Sequence, residues 1–230
     1  VSKTLGMIAK EIKPGVTTLH LDQLAEEFIR DHGAIPGFLG LYDFPNTLCV
    51  SPNAQVVHGI PNKKPLEEGD IVSVDCGAIK NEFYGDHAYT FEIGEVNEDV
   101  KKLIRVTKES LYKGIAQFKE GNRVGDVGYA IQKHTEQHGY GVVRELVGHG
   151  LGKTMHEDPS IPNDGQPRTG PVLKPGMVFA IEPWLMHTTD EIYTAEDGWT
   201  LMSADGSRSA HVEHTVAITK DGPLVLTERS

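Results

Sequence analysis

The chain has 230 residues and carries 22 Lys and Arg against 33 Asp and Glu, a formal net charge of −11 with histidine counted as neutral. A chain of this length buries enough surface on folding to need no disulfide or structural zinc, and its two cysteines, Cys49 and Cys76, form no CxxC pair. No stretch approaches the roughly 18 consecutive apolar residues of a membrane helix, and the first residues lack the apolar stretch of a signal peptide. These features exclude a disulfide-rich secreted domain and predict a cytoplasmic protein without a membrane segment. The acidic balance argues against a nucleic-acid partner.

Similar segments in the two halves of the sequence suggest an internal duplication. Residues 12–34 and 118–140 share a K-x-G near the start and an H-G near the end, and the apolar spacing in each predicts a turn followed by an amphipathic helix. Residues 66–75 (LEEGDIVSVD) and 173–182 (LKPGMVFAIE) repeat at nearly the same offset and predict one strand type ending in an acid, Asp75 or Glu182. Residues 56–60 (VVHGI) and 147–151 (VGHGL) form a looser third pair. A two-fold fused domain explains these repeats, and chance similarity of short turn-and-strand patterns is the alternative.

The sequence after Asp75, CGAIKNEFYGDHAYTF, alternates as in a β-hairpin. A turn centred on Lys80 and Asn81 places Asp75 opposite Asp86, with Cβ atoms about 4.5–5.5 Å apart. Two carboxylates at that distance repel each other unless a cation lies between them, and hard divalent cations prefer carboxylate oxygen. The hairpin therefore predicts a metal site, whereas a turn displaced by one residue would point the two acids in different directions.

The second half adds histidines and glutamates in glycine-rich or β-branched surroundings: His149, His156, Glu182 and Glu213. Glycines on both sides of His149 allow the backbone to approach a crowded site closely. The run SAHVEHTVAIT predicts a strand with His211, Glu213 and Thr215 on one face and Val212, His214 and Val216 on the other. The pair His156-Glu157 is followed by Asp-Pro, so no HExxH motif is present and a zincin helix is excluded.

Five blocks of the sequence, taken in order, resemble the signature blocks of type I methionine aminopeptidase: SPNAQVVHGIP, GDIVSVDCGAIKNEFYGD, GHGLGKTMHEDP, KPGMVFAIEP and SAHVEHTVAIT. The resemblance runs from about Lys13 to about Leu226. It implies an α+β, pitta-bread fold in which residues 1–230 form a single catalytic domain. Two pseudo-symmetric halves, about 1–105 and 106–230, would combine antiparallel sheet with outer helices.

The resemblance also implies two divalent metal ions held between the halves. The ligands would be Asp75, Asp86, His149, Glu182 and Glu213, with Asp86 and Glu213 bridging both ions, Asp75 chelating one, and His149 and Glu182 binding the other. This donor chemistry accepts cobalt, manganese, iron, nickel or zinc. Metal coordination lowers the pKa of water and so supplies a nucleophile at neutral pH.

By the same resemblance, His58 and His156 would contact the scissile amide, and Glu182 would carry a proton from the water to the leaving amine. Judged from its local sequence alone, His58 is a turn residue before Gly59. Matching positions suggest Phe44 and Cys49 as pocket walls for the methionine side chain, with Trp199 as a lid or flank. Phe38, Leu41 and Met155 would occupy neighbouring pocket positions, where other members often carry cysteine, tyrosine and phenylalanine respectively. Each of these apolar side chains is equally compatible with an ordinary core position.

The implied activity is removal of the N-terminal methionine from nascent polypeptides whose second residue is small, by a monomer acting on peptide and protein N-termini. Ribosome association is compatible with this activity. Two alternatives remain: an Xaa-Pro aminopeptidase or prolidase with the same fold and metals, and a non-catalytic pitta-bread module that binds a partner or RNA. Such modules lose ligands, whereas all five ligand positions here hold suitable side chains. The chain begins at Val1 without an initiator methionine, so we expect a trimmed N-terminus.

Overall fold

The structure, a computed structural model, describes residues 1–228. The amino-terminal part contains helices α1 (Ser2–Glu11) and α2 (Thr18–Asp31), a short 3-10 turn (Leu41–Asp43), and strands β1 (Ile35–Pro36), β2 (Leu48–Pro52), β3 (Gln55–Val57), β4 (Ile71–Lys80) and β5 (Phe83–Glu92). The remainder contains helices α3 (Glu98–Ile115) and α4 (Val124–Gln137) and ten strands: β6 (Gly141–Val142), β7 (Val147–Gly150), β8 (Glu157–Pro162), β9 (Val178–Ile181), β10 (Trp184–Met186), β11 (Ile192–Thr194), β12 (Leu201–Ser203), β13 (Ser209–His211), β14 (His214–Thr219) and β15 (Gly222–Val225).

Two sheets carry the main antiparallel pairing of the described residues. In one, β4 lies between β1 and β2 and also pairs with β5, and in the other the order is β15-β14-β9-β7-β8. Two three-stranded sheets, β13-β10-β6 and β11-β12-β3, complete the structure. This combination of helices with antiparallel sheets is the predicted α+β class.

Helices α2 and α4 confirm the turn-and-helix prediction for the first repeat, since each is 14 residues long and begins at the equivalent position. At the start of α2 the Thr17 hydroxyl accepts a hydrogen bond from the His20 amide, and at the start of α4 the Asp126 carboxylate accepts from the Arg123 amide. Each helix buries its apolar face in a separate core, one packed beneath β4 and one beneath β9 and β14. The predicted boundary near residue 105 falls inside α3, so a division in the loop before Glu98 keeps this helix whole.

The third pair of similar segments is not a structural repeat. Strand β3, which precedes His58, pairs with β12, whereas β7, which contains His149, pairs with β8 and β9. The partner of β4 that corresponds to β7 is instead β2. The two short histidine-glycine segments are therefore similar in sequence without being equivalent in the fold.

The register predicted for the hairpin of β4 and β5 is wrong. The turn is centred on Asn81 and Glu82, so Asp75 lies opposite Ala88 and Asp86 lies opposite Gly77. Both turn residues have positive φ, 50° and 68°, as in the turn that matches the right-handed twist of a hairpin. A turn displaced by one residue was expected to separate the acids, and that expectation is also wrong. The pairing moves by one residue on each strand, so the two acids remain on one face as diagonal neighbours. Asp75 also lies in the middle of its strand, and only Glu182 directly follows one.

The run around Glu213 is not one continuous strand as predicted. Strand β13 ends at His211, β14 begins at His214, and the two residues between them leave the ladder. The Glu213 amide instead donates to the Ala88 carbonyl of β5 at 3.0 Å. This irregular segment therefore joins the two main sheets at the level of the acids.

Candidate metal centre and substrate pocket

Four buried carboxylates from the two main sheets converge at the seam between them: Asp75 of β4, Asp86 of β5, Glu182 after β9, and Glu213 between β13 and β14. Thr215 of β14 fixes this seam, because its hydroxyl donates to the Asp86 carbonyl at 2.7 Å and accepts from the Asp86 amide at 3.0 Å. These two contacts hold the backbone of Asp86 against β14.

His149 of β7 completes the group. Its Nε2 lies 3.3 Å from Glu182 Oε1 and 3.9 Å from Asp86 Oδ2, while its Nδ1 donates to the Gly150 carbonyl at 2.9 Å. Such a bond on one ring nitrogen fixes the tautomer that leaves the other free as a metal ligand. The flanking glycines allow this close packing, since a Cβ on Gly148 would lie 2.4 Å from the Ala180 carbonyl oxygen.

The site favours neutral side chains until a cation enters it. Burial raises the pKa of Asp86 to about 7. Burial and the neighbouring carboxylates raise the pKa values of Asp75, Glu182 and Glu213 well above their usual range. Burial also lowers the pKa of His149 to about 4, so this imidazole is neutral at physiological pH. The neutral imidazole is the form that binds a metal, and the carboxyls would lose their protons when a cation enters.

Unpaired buried atoms support a metal at this place. Asp75 Oδ1, both carboxylate oxygens of Glu213 and His211 Nε2 are buried without a hydrogen-bond partner. Potential ligand atoms also form two groups of three, Asp86 with His149 and Glu213, and Glu182 with His211 and Glu213, whose members lie within 4.8 Å of one another. Carboxylate oxygen with imidazole nitrogen is a donor set that fits divalent transition metals. Glu213 belongs to both groups, as expected for a shared ligand.

His211 is a residue that the sequence analysis placed on the correct face without assigning it a role. It stacks on Trp184 with ring centroids 4.7 Å apart, and its Nε2 lies 3.9 Å from Glu182 Oε2. Burial lowers its pKa to about 3. Its spacing of two residues from Glu213 was the available signal.

A cavity of about 570 Å³ opens onto the carboxylates. Its walls include eleven of the predicted site residues: Phe38, Leu41, Phe44, Cys49, His58, Asp75, Asp86, His149, His156, Glu182 and Trp199. Of the other two, Met155 is buried behind the wall against Phe38, Phe44 and Cys49, and Glu213 lies buried beside the other carboxyls at the seam. Phe44 and Trp199 meet edge to face with centroids 5.1 Å apart. The cavity thus has a polar end at the acids and an apolar end suited to an unbranched apolar side chain.

Two histidines border the cavity near the acids. The His156 ring lies 4.4 Å from the His149 ring, and His58 has a positive φ of 58° in the turn that follows β3. Burial lowers the pKa of both histidines, and for His58 the proximity of His156 adds to the effect. Tyr42, which the sequence analysis did not identify, stacks on His156, and its hydroxyl lies 3.3 Å from His156 Nδ1. These residues are 114 positions apart, so no local pattern indicates the contact.

The model of metallopeptidase family M24 matches residues 1–220. The chain belongs to this family. Methionine aminopeptidase of Clostridium acetobutylicum is 54% identical over 228 residues, covering 99% of this chain and 91% of the relative. Methionine aminopeptidase 1 of Bacillus subtilis is 48% identical over 227 residues, covering 99% and 92%.

Solved structures agree with this M24 assignment. The crystal structure of methionine aminopeptidase from Rickettsia prowazekii superposes with a TM-score of 0.97 at 43% identity, covering 99% of this chain and 92% of that one. Xaa-Pro dipeptidase from Bacillus anthracis superposes with a TM-score of 0.79 at 23% identity, covering this whole chain but 57% of its own, and shows the shared fold alone. The resemblance to methionine aminopeptidases and the predicted pitta-bread fold are therefore confirmed.

Membership of M24 makes this chain a relative of metal-dependent peptidases, which agrees with the two ligand groups at the sheet seam. Among residues 1–228, no helix is long and apolar enough to cross a membrane.

Proposed function

We propose that the protein is a metal-dependent methionine aminopeptidase that removes the N-terminal methionine from polypeptides whose second residue is small. The observation that carries the proposal is the buried group of carboxylates and His149 at the polar end of a partly apolar cavity. Sequence identity of 44–54% with proteins named methionine aminopeptidase, over nearly the whole chain, supports the same reaction.

The metal ligands in this proposal are Asp75, Asp86, His149, Glu182 and Glu213. They would hold two divalent ions, and Glu213 and Asp86 are the candidates for sharing because their oxygens lie among several other ligand atoms. Cobalt, manganese, iron, nickel and zinc all suit these donors. When bound, the metal supplies Lewis acidity that polarises the amide and lowers the pKa of water.

The chain's own residues supply orientation and proton transfer. Glu182 lies beside His149 and its raised pKa suits a carboxyl that takes a proton and returns it to the leaving amine. His58 and His156 border the cavity as neutral imidazoles that can donate to or accept from the peptide amide. Tyr42 stacks on one face of the His156 ring and places its hydroxyl beside Nδ1, and these contacts limit the orientations of that ring.

Selectivity for methionine would come from the apolar end. Phe38, Phe44, Cys49 and Met155 form one buried cluster with Leu41 and Trp199 packed against it. A thioether is recognised by shape and polarizability, and these aromatic and sulfur-containing walls provide both. The proposal places the protein in the cytoplasm as a monomer and a single catalytic domain acting on peptide N-termini, compatible with work at the ribosome.

Peptide hydrolysis tests this proposal. Metal-stripped protein is assayed with Met-Ala-Ser and with Ala-Pro-Ser, in the presence and absence of manganese or cobalt. We expect metal-dependent release of methionine from the first peptide alone. Cleavage of only Ala-Pro-Ser would contradict the proposal and indicate a proline-directed peptidase. If neither peptide is cleaved and no metal is bound, the result would indicate a non-catalytic binding module.

A further inference from the structure

Helices α3 and α4 bring together three potential metal ligands that do not belong to the cavity: Glu109, His134 and His138. The two histidines are four residues apart, so they share one face at the end of α4. Glu109 reaches the same place from α3. One ligand atom from each of the three side chains lies within 4.8 Å of the others. The distances between these three atoms are therefore close to the distances between the donor atoms around a single ion.

Hydrogen bonds orient these side chains as they do in metal sites. His138 Nδ1 donates to the His134 carbonyl at 2.9 Å, which fixes the tautomer and leaves Nε2 with its lone pair. Arg105 Nη1 lies 3.1 Å from Glu109 Oε1, so the other oxygen, Oε2, faces His134 Nε2 at 3.0 Å. The two imidazole rings are 4.5 Å apart. A bound cation would therefore take the place of the proton in the hydrogen bond between Glu109 and His134.

The donor set and its exposure define the kind of ion. Two imidazoles and one carboxylate favour zinc, nickel, copper or cobalt over magnesium or calcium. The side chain of His134 is 14% exposed and that of Glu109 is 38% exposed, so the group is half-buried and open to solvent on one side. An ion held there has room for water in its remaining coordination position.

We propose that Glu109, His134 and His138 form a second binding site, for one divalent transition metal of the zinc type, that links α3 to α4. The bound ion connects two helices that otherwise meet through side-chain packing and the His134–Glu109 pair. An ion that binds only the folded chain raises its stability. The site is separate from the proposed catalytic metals, because it shares no residue with them.

Zinc titration of the metal-stripped full chain against a chromophoric zinc chelator tests the proposal. The variants are the double exchange His134→Ala with His138→Ala, the single exchange Glu109→Gln, and the control His20→Ala, which removes an exposed histidine outside both sites. We expect the double variant to bind one equivalent of zinc fewer than the wild type and Glu109→Gln to bind that equivalent about tenfold more weakly. The control should match the wild type, and manganese-supported methionine release should be the same in all four proteins.

Thermal unfolding gives a second readout if the double variant does not fold. Zinc at about 100 times its dissociation constant should raise the Tm of the control by about 3–5 °C more than that of Glu109→Gln, which binds tenfold more weakly. Equal zinc stoichiometry in the wild type and the double variant, or equal zinc-induced Tm shifts in the control and Glu109→Gln, would overturn the proposal and leave an ordinary ion pair between α3 and α4.

Discussion

The metal-free protein should become less stable as the pH rises from about 6.5 to about 8, and bound metal should remove this trend. Burial raises the pKa of Asp86 to about 7 and the pKa values of Asp75, Glu182 and Glu213 well above their usual range. In the unfolded chain these carboxyls lose their protons near pH 4. Folded protein therefore holds protons that the unfolded chain does not, and stability is lost as the pH rises through the folded pKa values.

Between about pH 6.5 and pH 8, the other buried groups with shifted pKa values contribute little to the change of stability with pH. Burial lowers the pKa of His149 to about 4 and that of His211 to about 3, which destabilises the folded state only below about pH 6.5, where unfolded histidine takes up a proton. Burial raises the pKa of the Cys76 thiol to about 12, which acts only where an unfolded cysteine ionises, above about pH 8. Between these limits the carboxyls dominate.

The magnitude follows from the number of retained protons. Each carboxyl that keeps its proton in the folded state contributes a loss of about 1.4 kcal/mol per pH unit. One to three retained protons across the window correspond to a loss of about 2–6 kcal/mol. That loss is large beside a total stability of about 5–15 kcal/mol.

Urea denaturation at several pH values, with a chelator or with manganese, measures this effect. The Glu213→Gln variant is the matched control, because its amide does not titrate and its slope should be smaller by about one proton. Manganese should flatten the slope because the ion displaces the protons. Constant or rising stability of the metal-free protein across this window would show that the folded protein does not retain these carboxyl protons.

Three further predictions concern the ligands, the pocket wall and the fold. Asp86→Asn should lower turnover of methionyl peptides by several orders of magnitude with an unchanged circular dichroism spectrum, because it weakens a ligand that we propose both ions share. Gly77→Ala should raise KM for methionyl peptides more than it lowers kcat, because the added Cβ would lie 2.6 Å from Met155 Cε and from Phe38 Cε1. Asp22→Ala should lower the free energy of unfolding in urea by about 1–3 kcal/mol, because this buried carboxylate accepts hydrogen bonds from two backbone amides.

Each of these predictions has a clear contrary result. Near-normal turnover by Asp86→Asn would contradict its assignment as a ligand. An unchanged KM in Gly77→Ala would show that the apolar cluster does not bound the substrate side chain. An unfolding free energy of Asp22→Ala equal to that of the wild type would show that water replaces the carboxylate at no cost.

Local patterns in the sequence predict much of the fold. The apolar spacing that indicated α2 and α4 arises from residues within a few positions of each other, and each helix buries that face as expected. The glycines beside His149 likewise indicated close packing, because Gly148 leaves no room for a side chain against Ala180. These features depend on neighbouring residues and so can be recognised before folding is known.

Features that depend on distant residues could not be predicted in the same way. The β4–β5 turn requires Glu82 to adopt a positive φ of 68°, which glutamate rarely adopts, so propensity favoured the wrong register. The break between β13 and β14 arises because the Glu213 amide bonds to Ala88 of another sheet. Contact of Tyr42 with His156 depends on the same long-range packing. Contacts between residues distant in sequence, not local patterns, decide these details.

In the proposed function, the buried carboxylates hold the divalent metal on which peptide cleavage depends. The most direct measurement is a titration of metal-stripped protein with manganese in which bound metal and methionine release from Met-Ala-Ser are recorded on the same samples. We expect no release without metal and a rate that rises with occupancy to saturate by about two equivalents. Full activity in protein that retains less than about a tenth of an equivalent of metal would contradict this expectation.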